Sequence, residues 1–152
     1  MKTNLLLLDT MKNMEKLIYS AFSMSNQLKR KLKIVYVMDI HWVSTGGEFV
    51  GSTVPGFSEG YRMIETGFRK DFEQAETEIR KITAKYFEKH PQNIHYEIEV
   101  AETSRLDLVS KTVEREKDVL LLMSNYNTYS GLSTGTINYP NIIDKVPCPV
   151  LI

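Results

Sequence analysis

The chain holds a single cysteine, Cys148. One thiol cannot close an internal disulfide, so the stapled framework of a small secreted domain is excluded. An excess of charge is missing too. The 19 Lys and Arg balance 19 Asp and Glu, which leaves nothing to condense on nucleic acid or on an anionic membrane. No apolar run approaches membrane-spanning length. The apolar part of the opening MKTNLLLLDT is too short for a signal peptide and meets Asp9 at once. The expected setting is cytoplasmic, with neither nucleic acid nor membrane as partner. Histidine is scarce, and His41, His90 and His95 show no metal-ligand spacing, so no metal site is expected. No G-x-S-x-G elbow for a serine nucleophile occurs. The stretch Gly46-Gly47-Glu48-Phe49-Val50-Gly51 lacks the lysine of a P-loop, and no strand leads into it.

What remains is the composition of one globular domain spanning residues 1–152, with 42% hydrophobic and 25% charged residues and enough length for a real core. Asn4 to Leu8 is a short unbroken apolar run ending at Asp9, as in a strand buried on both faces. Met14, Leu17, Ile18, Ala21, Phe22, Ser25 and Leu28 then recur at helical spacing. The basic cluster Lys29 to Lys33 marks the exit, and Ile34 to Met38 is a second strand run ending at Asp39. Residues 40–58 have five Gly and Pro and no sustained period. A connection this long is usually functional or mobile; it is expected to be a mobile lid or partner-binding segment, with Trp42 packed on the domain's own surface or, together with Phe49, serving as its anchor.

A long helix follows, with a stripe of Ile64, Phe68, Phe72, Ala75, Ile79, Ile82 and Tyr86. Ser58 or Thr66 is its expected cap, and His90-Pro91 its stop. Ile94, Tyr96, Ile98 and Val100 alternate with polar residues, the period of a half-exposed strand that turns His95 to solvent. Thr103-Ser104 with Asp107 has the look of a helix N-cap, and Leu106, Val109 and Val113 form that helix's expected buried stripe. Asp118 to Met123 is another buried strand run. Ile142, Ile143 and Val146 predict a last short helix, broken by Pro147-Cys148-Pro149 before a strand over Val150 to Ile152. Cys148 is expected to be a small buried apolar residue. Strands alternating with helices mean parallel strands joined by right-handed crossovers. Ligands of such sheets bind beyond the strands' carboxyl ends, so Asp9, Asp39 and the loop after Met123 mark the place for chemistry.

LLLLDT, KIVYVMD, a strand opening into a glycine-bearing loop and the closing VPCPVLI occur in that order. In this the whole chain resembles the universal stress protein family. The resemblance implies a Rossmann-like α/β fold, akin to the adenine nucleotide alpha hydrolases. Its open five-stranded parallel sheet would have the order 3-2-1-4-5, with helices on both faces. It also implies a homodimer through the last strand, which makes Val150, Leu151 and Ile152 the candidate interface.

One branch of that family binds ATP through a loop of glycine, two residues, glycine, nine residues, glycine, then serine or threonine. The matching positions are Ser124, Asn127, Gly135 and Thr136, and the resemblance assigns adenine and ribose contacts to Asp9 and Val37. Two of the loop's glycines are thus replaced, and only seven residues separate Asn127 from Gly135. Glycine permits positive φ and close approach to an anion. Asn127 is a partial substitute, but the Cβ of Ser124 fills space a phosphate oxygen needs. Pro140 favours Asn138 as N-cap of the next helix, displaced from Thr136. Each lost donor to a charged acceptor costs about 1.5–3 kcal/mol.

The expectation is a non-catalytic dimeric domain for stress response or signalling, acting on an unknown protein partner, with nucleotide binding weak or absent and no cofactor. One alternative is an ATP- or AMP-binding protein, with magnesium, in which Asp9, Val37, Asn127, Gly135 and Thr136 hold the ligand. Another is a small-molecule-binding or enzymatic protein using Asp9 and Asp39 in the same crevice. For Asp9 the plain reading is helix-start capping or a bond within the crevice.

Overall fold

The computed structural model describes residues 2–9, 11–38, 57–124, 145–146 and 148–152, without the side chains of Met38 and residues 57–69. The four-leucine run belongs to strand β1 (Thr3–Leu8), whose every residue is buried. Burial on both sides explains why the run does not alternate. Leu6 and Leu8 join one core, with Ile34, Phe22 and Ile79. Leu5 and Leu7 join a second, with Val35, Val109 and Leu121.

Helix α1 (Met14–Leu28) buries Met14, Ile18, Ala21, Phe22 and Ser25. Leu28, expected on that stripe, is instead 49% exposed, because the helix ends there. Lys29 adopts φ 51° and donates its N–H to Asn26 O, while Arg30 N–H reaches Ser25 O. That pair of bonds is a Schellman stop. It turns the chain straight into β2 (Lys31–Met38), three residues earlier than the run from Ile34 predicts. Lys31 and Lys33 therefore lie inside a strand rather than at a helix exit. The Arg30 Nη2 donates to Thr3 O and pairs with Asp118 Oδ1 at 2.7 Å, tying the starts of three elements together.

Helix α2 (Phe57–Lys89) buries Phe72, Ala75, Ile79, Ile82 and Tyr86 of the stripe expected of it, and the side chains of Ile64 and Phe68 lie outside the described ones. Ser58 is its second residue and Thr66 lies well inside, so neither caps it. The expected lid segment is correspondingly shorter at its far end, and Trp42, Phe49 and the rest of residues 39–56 lie outside the described residues. Strand β3 (Tyr96–Glu102) sends Ile98 and Val100 into the first core. His95 is exposed, as its place in the alternation requires. Helix α3 (Arg105–Glu116) starts as expected, the Ser104 side chain accepting from Asp107 N–H. Its buried face is Leu108, Val109 and Thr112, with Leu106 and Val113 only at its margin. β4 (Val119–Leu122) and β5 (Val150–Leu151) complete the sheet.

The strand order is β3-β2-β1-β4-β5, and all four pairings are parallel. α1 and α2 cover the face of the first core and α3 the face of the second. This is the open α/β sheet with helices on both faces that the alternation of elements predicts. The order reverses between β1 and β4: β1 leads through α1 to β2 on one side of it, while β4, its neighbour on the other side, is reached from β3 through α3, so the carboxyl ends of β1 and β4 flank the switch point where ligands of such sheets bind.

Candidate functional site

The register fixes what meets at the carboxyl ends of the strands. Leu8 pairs with Tyr36 of β2, and Leu6 with Leu122 of β4. Carried on, these pairings set Asp9 level with Val37 on one side and Ser124 level with Leu8 on the other. The three described candidates thus lie on adjacent strand ends. Val37 is 1% exposed, and its side chain belongs to the second core. Any contact it offers is through its backbone. Asn127, Gly135 and Thr136 lie outside the described residues, as do Asp39 and most of the predicted last helix.

A hollow opens at this point, lined by Leu7, Leu8, Asp9, Leu17, Arg105, Met123 and Ser124. Its dominant feature is an ion pair. Arg105 Nη2 stands 3.2 Å from Asp9 Oδ2, and the two side chains are 11% and 15% exposed. Asp9 therefore does not cap a helix. α1 begins five residues on, after Asn13, and takes no side-chain cap. Asp9 makes its bond within the crevice, to a partner that sequence reasoning missed. A signal for that partner existed. The Ser104 cap places Arg105 at the first helical position, just past the carboxyl end of β3 and hence on the same rim.

The pair is shielded on most sides, so each charge has given up much of its hydration and depends on the other. Arg105 Nε is buried and has no hydrogen-bond partner among the described residues. Next to the pair, burial pushes the Tyr36 phenol above its ordinary value, and the Asp9 and Asp71 carboxylates push it further. Tyr36 keeps its proton at neutral pH and stands as a donor, its ring edge-on to Phe72 at 6.3 Å. Among the described residues no group of three or more His, Cys, Asp and Glu is placed to hold a metal ion.

Two further calls concern the margins. Cys148 is half-buried against the second core rather than fully buried, and burial raises its thiol above the ordinary value. β5 forms one edge of the sheet, with Leu151 44% and Ile152 58% exposed. No helix among the described residues is long and apolar enough to cross a membrane.

Known structures share this fold. A universal stress protein family member from Burkholderia pseudomallei superposes with a TM-score of 0.64 at 13% identity, over 99% of this chain and 93% of that one. UspA from Lactobacillus plantarum gives 0.58 at 12%, over 99% and 95%. A universal stress protein in complex with cAMP gives 0.57 at 14%, over 99% and 94%. No protein-family model and no curated protein matches the sequence. At these identities the likeness is one of fold, and the fold is that of the universal stress proteins.

Proposed function

We propose that this chain is a non-catalytic, homodimeric domain of the universal stress protein type that serves stress response or signalling through protein contacts, with nucleotide binding weak or absent. The observation that carries this reading is the Asp9–Arg105 pair. The carboxylate that the resemblance assigns to a sugar or base is already engaged, and a ligand must separate two shielded charges to reach it. The same engagement argues against the enzymatic alternative, because the oxygen a general base would offer to a substrate already faces Arg105. The exposed Leu151 and Ile152 on an edge strand support pairing with a second copy.

An adenine nucleotide in the crevice is the second reading. It is favoured by one neighbour in fold having been captured with cAMP and by Asp9, Val37 and Ser124 sharing one rim.

The two readings separate in a melt. Purified protein, heat-denatured, should release no nucleotide, and its Tm should not move as ATP and magnesium are added. A ligand at a hundred times its Kd would stabilise the fold by about 2.7 kcal/mol, so a clear ATP-dependent rise defeats the nucleotide-free reading. For the dimer, Leu151→Asp should yield monomers by light scattering, whereas Val150 packs against the second core. Survival of the dimer in that variant would rule out the β5 edge.

A further inference from the structure

We propose that Arg105 is the specificity-determining residue of the crevice: by pairing with Asp9 it shuts out neutral ligands that bind through hydroxyl donors, nucleosides among them. The inference deepens the nucleotide-free reading, on which it rests, by naming the side chain that keeps the crevice closed to such ligands. A hydroxyl-bearing ligand needs a carboxylate whose oxygens are open. Here Asp9 Oδ2 faces Arg105 Nη2 at 3.2 Å, in a place where neither side chain is more than 15% exposed.

Taking Asp9 from Arg105 leaves the guanidinium without its counter-charge, and a neutral hydroxyl cannot replace a unit charge in a shielded site. Among the described residues the rest of the lining offers no substitute. Leu7, Leu8, Leu17 and Met123 are apolar, and Ser124 brings only a neutral hydroxyl. Among the described residues the Arg105 Nε is already buried without a partner, so the loss of Asp9 would leave the guanidinium poorer still. The exclusion is therefore a property of one side chain. Its removal hands Asp9, as an acceptor with two free oxygens, to whatever enters.

The position of Arg105 is set independently of Asp9, by the Ser104 cap that starts α3. A substitution at 105 by a residue comfortable in a helix, such as methionine, leaves that start intact.

The test is equilibrium dialysis of radiolabelled adenosine against the full chain, its Arg105→Met variant and the Asp9→Asn/Arg105→Met double variant, each checked for native circular dichroism. Bonds from ligand hydroxyls to a freed carboxylate should tighten adenosine binding by about ten- to a hundredfold in Arg105→Met relative to the parent. The double variant should lose that gain. If Arg105→Met does not fold, Arg105→Gln, which keeps a polar head, takes its place with the same expectation. The proposal is overturned if the folded single variant binds adenosine no more tightly than the parent, or if the gain survives in the double variant. An ATP-induced rise in the parent's Tm would defeat the nucleotide-free reading of function, whereas a gain confined to Arg105→Met would uphold the role of Arg105 even then.

Discussion

Lys33 is the one charged residue that is buried among the described residues, at 4% exposure, between Leu32 and Ile34 of β2. Its register partner on β3 is Glu97. Its Nζ instead reaches one step along, to Glu99 Oε2 at 2.6 Å, as Lys31 does to Glu97 Oε1. The two ends of the Lys33–Glu99 pair differ. The Lys33 side chain is 5% exposed and the Glu99 side chain 45%. Glu99→Gln strands a buried ammonium. Lys33→Met removes that ammonium, keeps an unbranched stem of similar length, and leaves behind a carboxylate that water already reaches.

Breaking a fully buried pair costs about 3–5 kcal/mol. The half-exposed carboxylate reduces this, and for Glu99→Gln a loss of about 1–2 kcal/mol is expected. At about 2–4 °C per kcal/mol for a chain of this size, its Tm should fall by roughly 2–8 °C. Lys33→Met should stay within about 0.5 kcal/mol of the parent or gain slightly. Urea titration followed by far-UV circular dichroism reads both, on samples at one protein concentration, because dimerisation would shift the midpoint. A larger loss for Lys33→Met than for Glu99→Gln would refute the argument, since it would mean that the lysine earns its place by attraction rather than by being shielded alone.

Two further outcomes follow from the cores. Phe22, 0% exposed, stacks on Tyr86 at 4.9 Å and meets Phe87 and Tyr96 edge-on. Phe22→Ala should cost about 3–5 kcal/mol, a Tm loss of roughly 6–20 °C, and a loss of under about 1 kcal/mol in the melt would show that this cluster does not hold α1 and α2 to the sheet. The raised thiol of Cys148 holds less thiolate at pH 8 than free cysteine, so iodoacetamide should alkylate it more slowly in the native protein than in urea. Equal rates, read by mass spectrometry, would show that burial does not control it.

The elements that were legible in the sequence are those whose environment is uniform. β1 reads correctly because a central strand buried on both faces is apolar throughout, and the visible half of α2 because one stripe meets one sheet face. Ser104 reads correctly because an N-cap is a local event. Lys31 and Lys33 read as part of a helix exit because a basic cluster follows the apolar stripe, whereas both belong to β2. Their partners Glu97 and Glu99 were visible as the polar half of an alternating strand, but only the β2–β3 register shows that the two sets of charges face each other. Leu28 misled because periodicity continues through a helix end that the Lys29 and Arg30 bonds impose. In the crevice, Asp9 was legible from its place after a strand. Arg105 was not, because its meeting with Asp9 depends on β3 lying two strands away and α3 returning across the sheet.

That meeting also bears on why the rim is polar at all. Four of the hollow's seven lining residues are Leu or Met, and an apolar pair in place of Asp9 and Arg105 would complete the surface without desolvating two ions. Shielded ion pairs are weak sources of net stability, and the structural clamp of this sheet lies at its other end, where Arg30 joins Thr3 and Asp118. If Arg105 guards the crevice as proposed, the Asp9–Arg105 pair should contribute little to the fold. A stability ledger alone predicts that Asp9→Leu/Arg105→Met folds at least as well as the parent. Urea midpoints equal to or above the parent's would separate the dyad from folding and leave selection of ligands as its work, whereas a large loss of stability would return it to the scaffold.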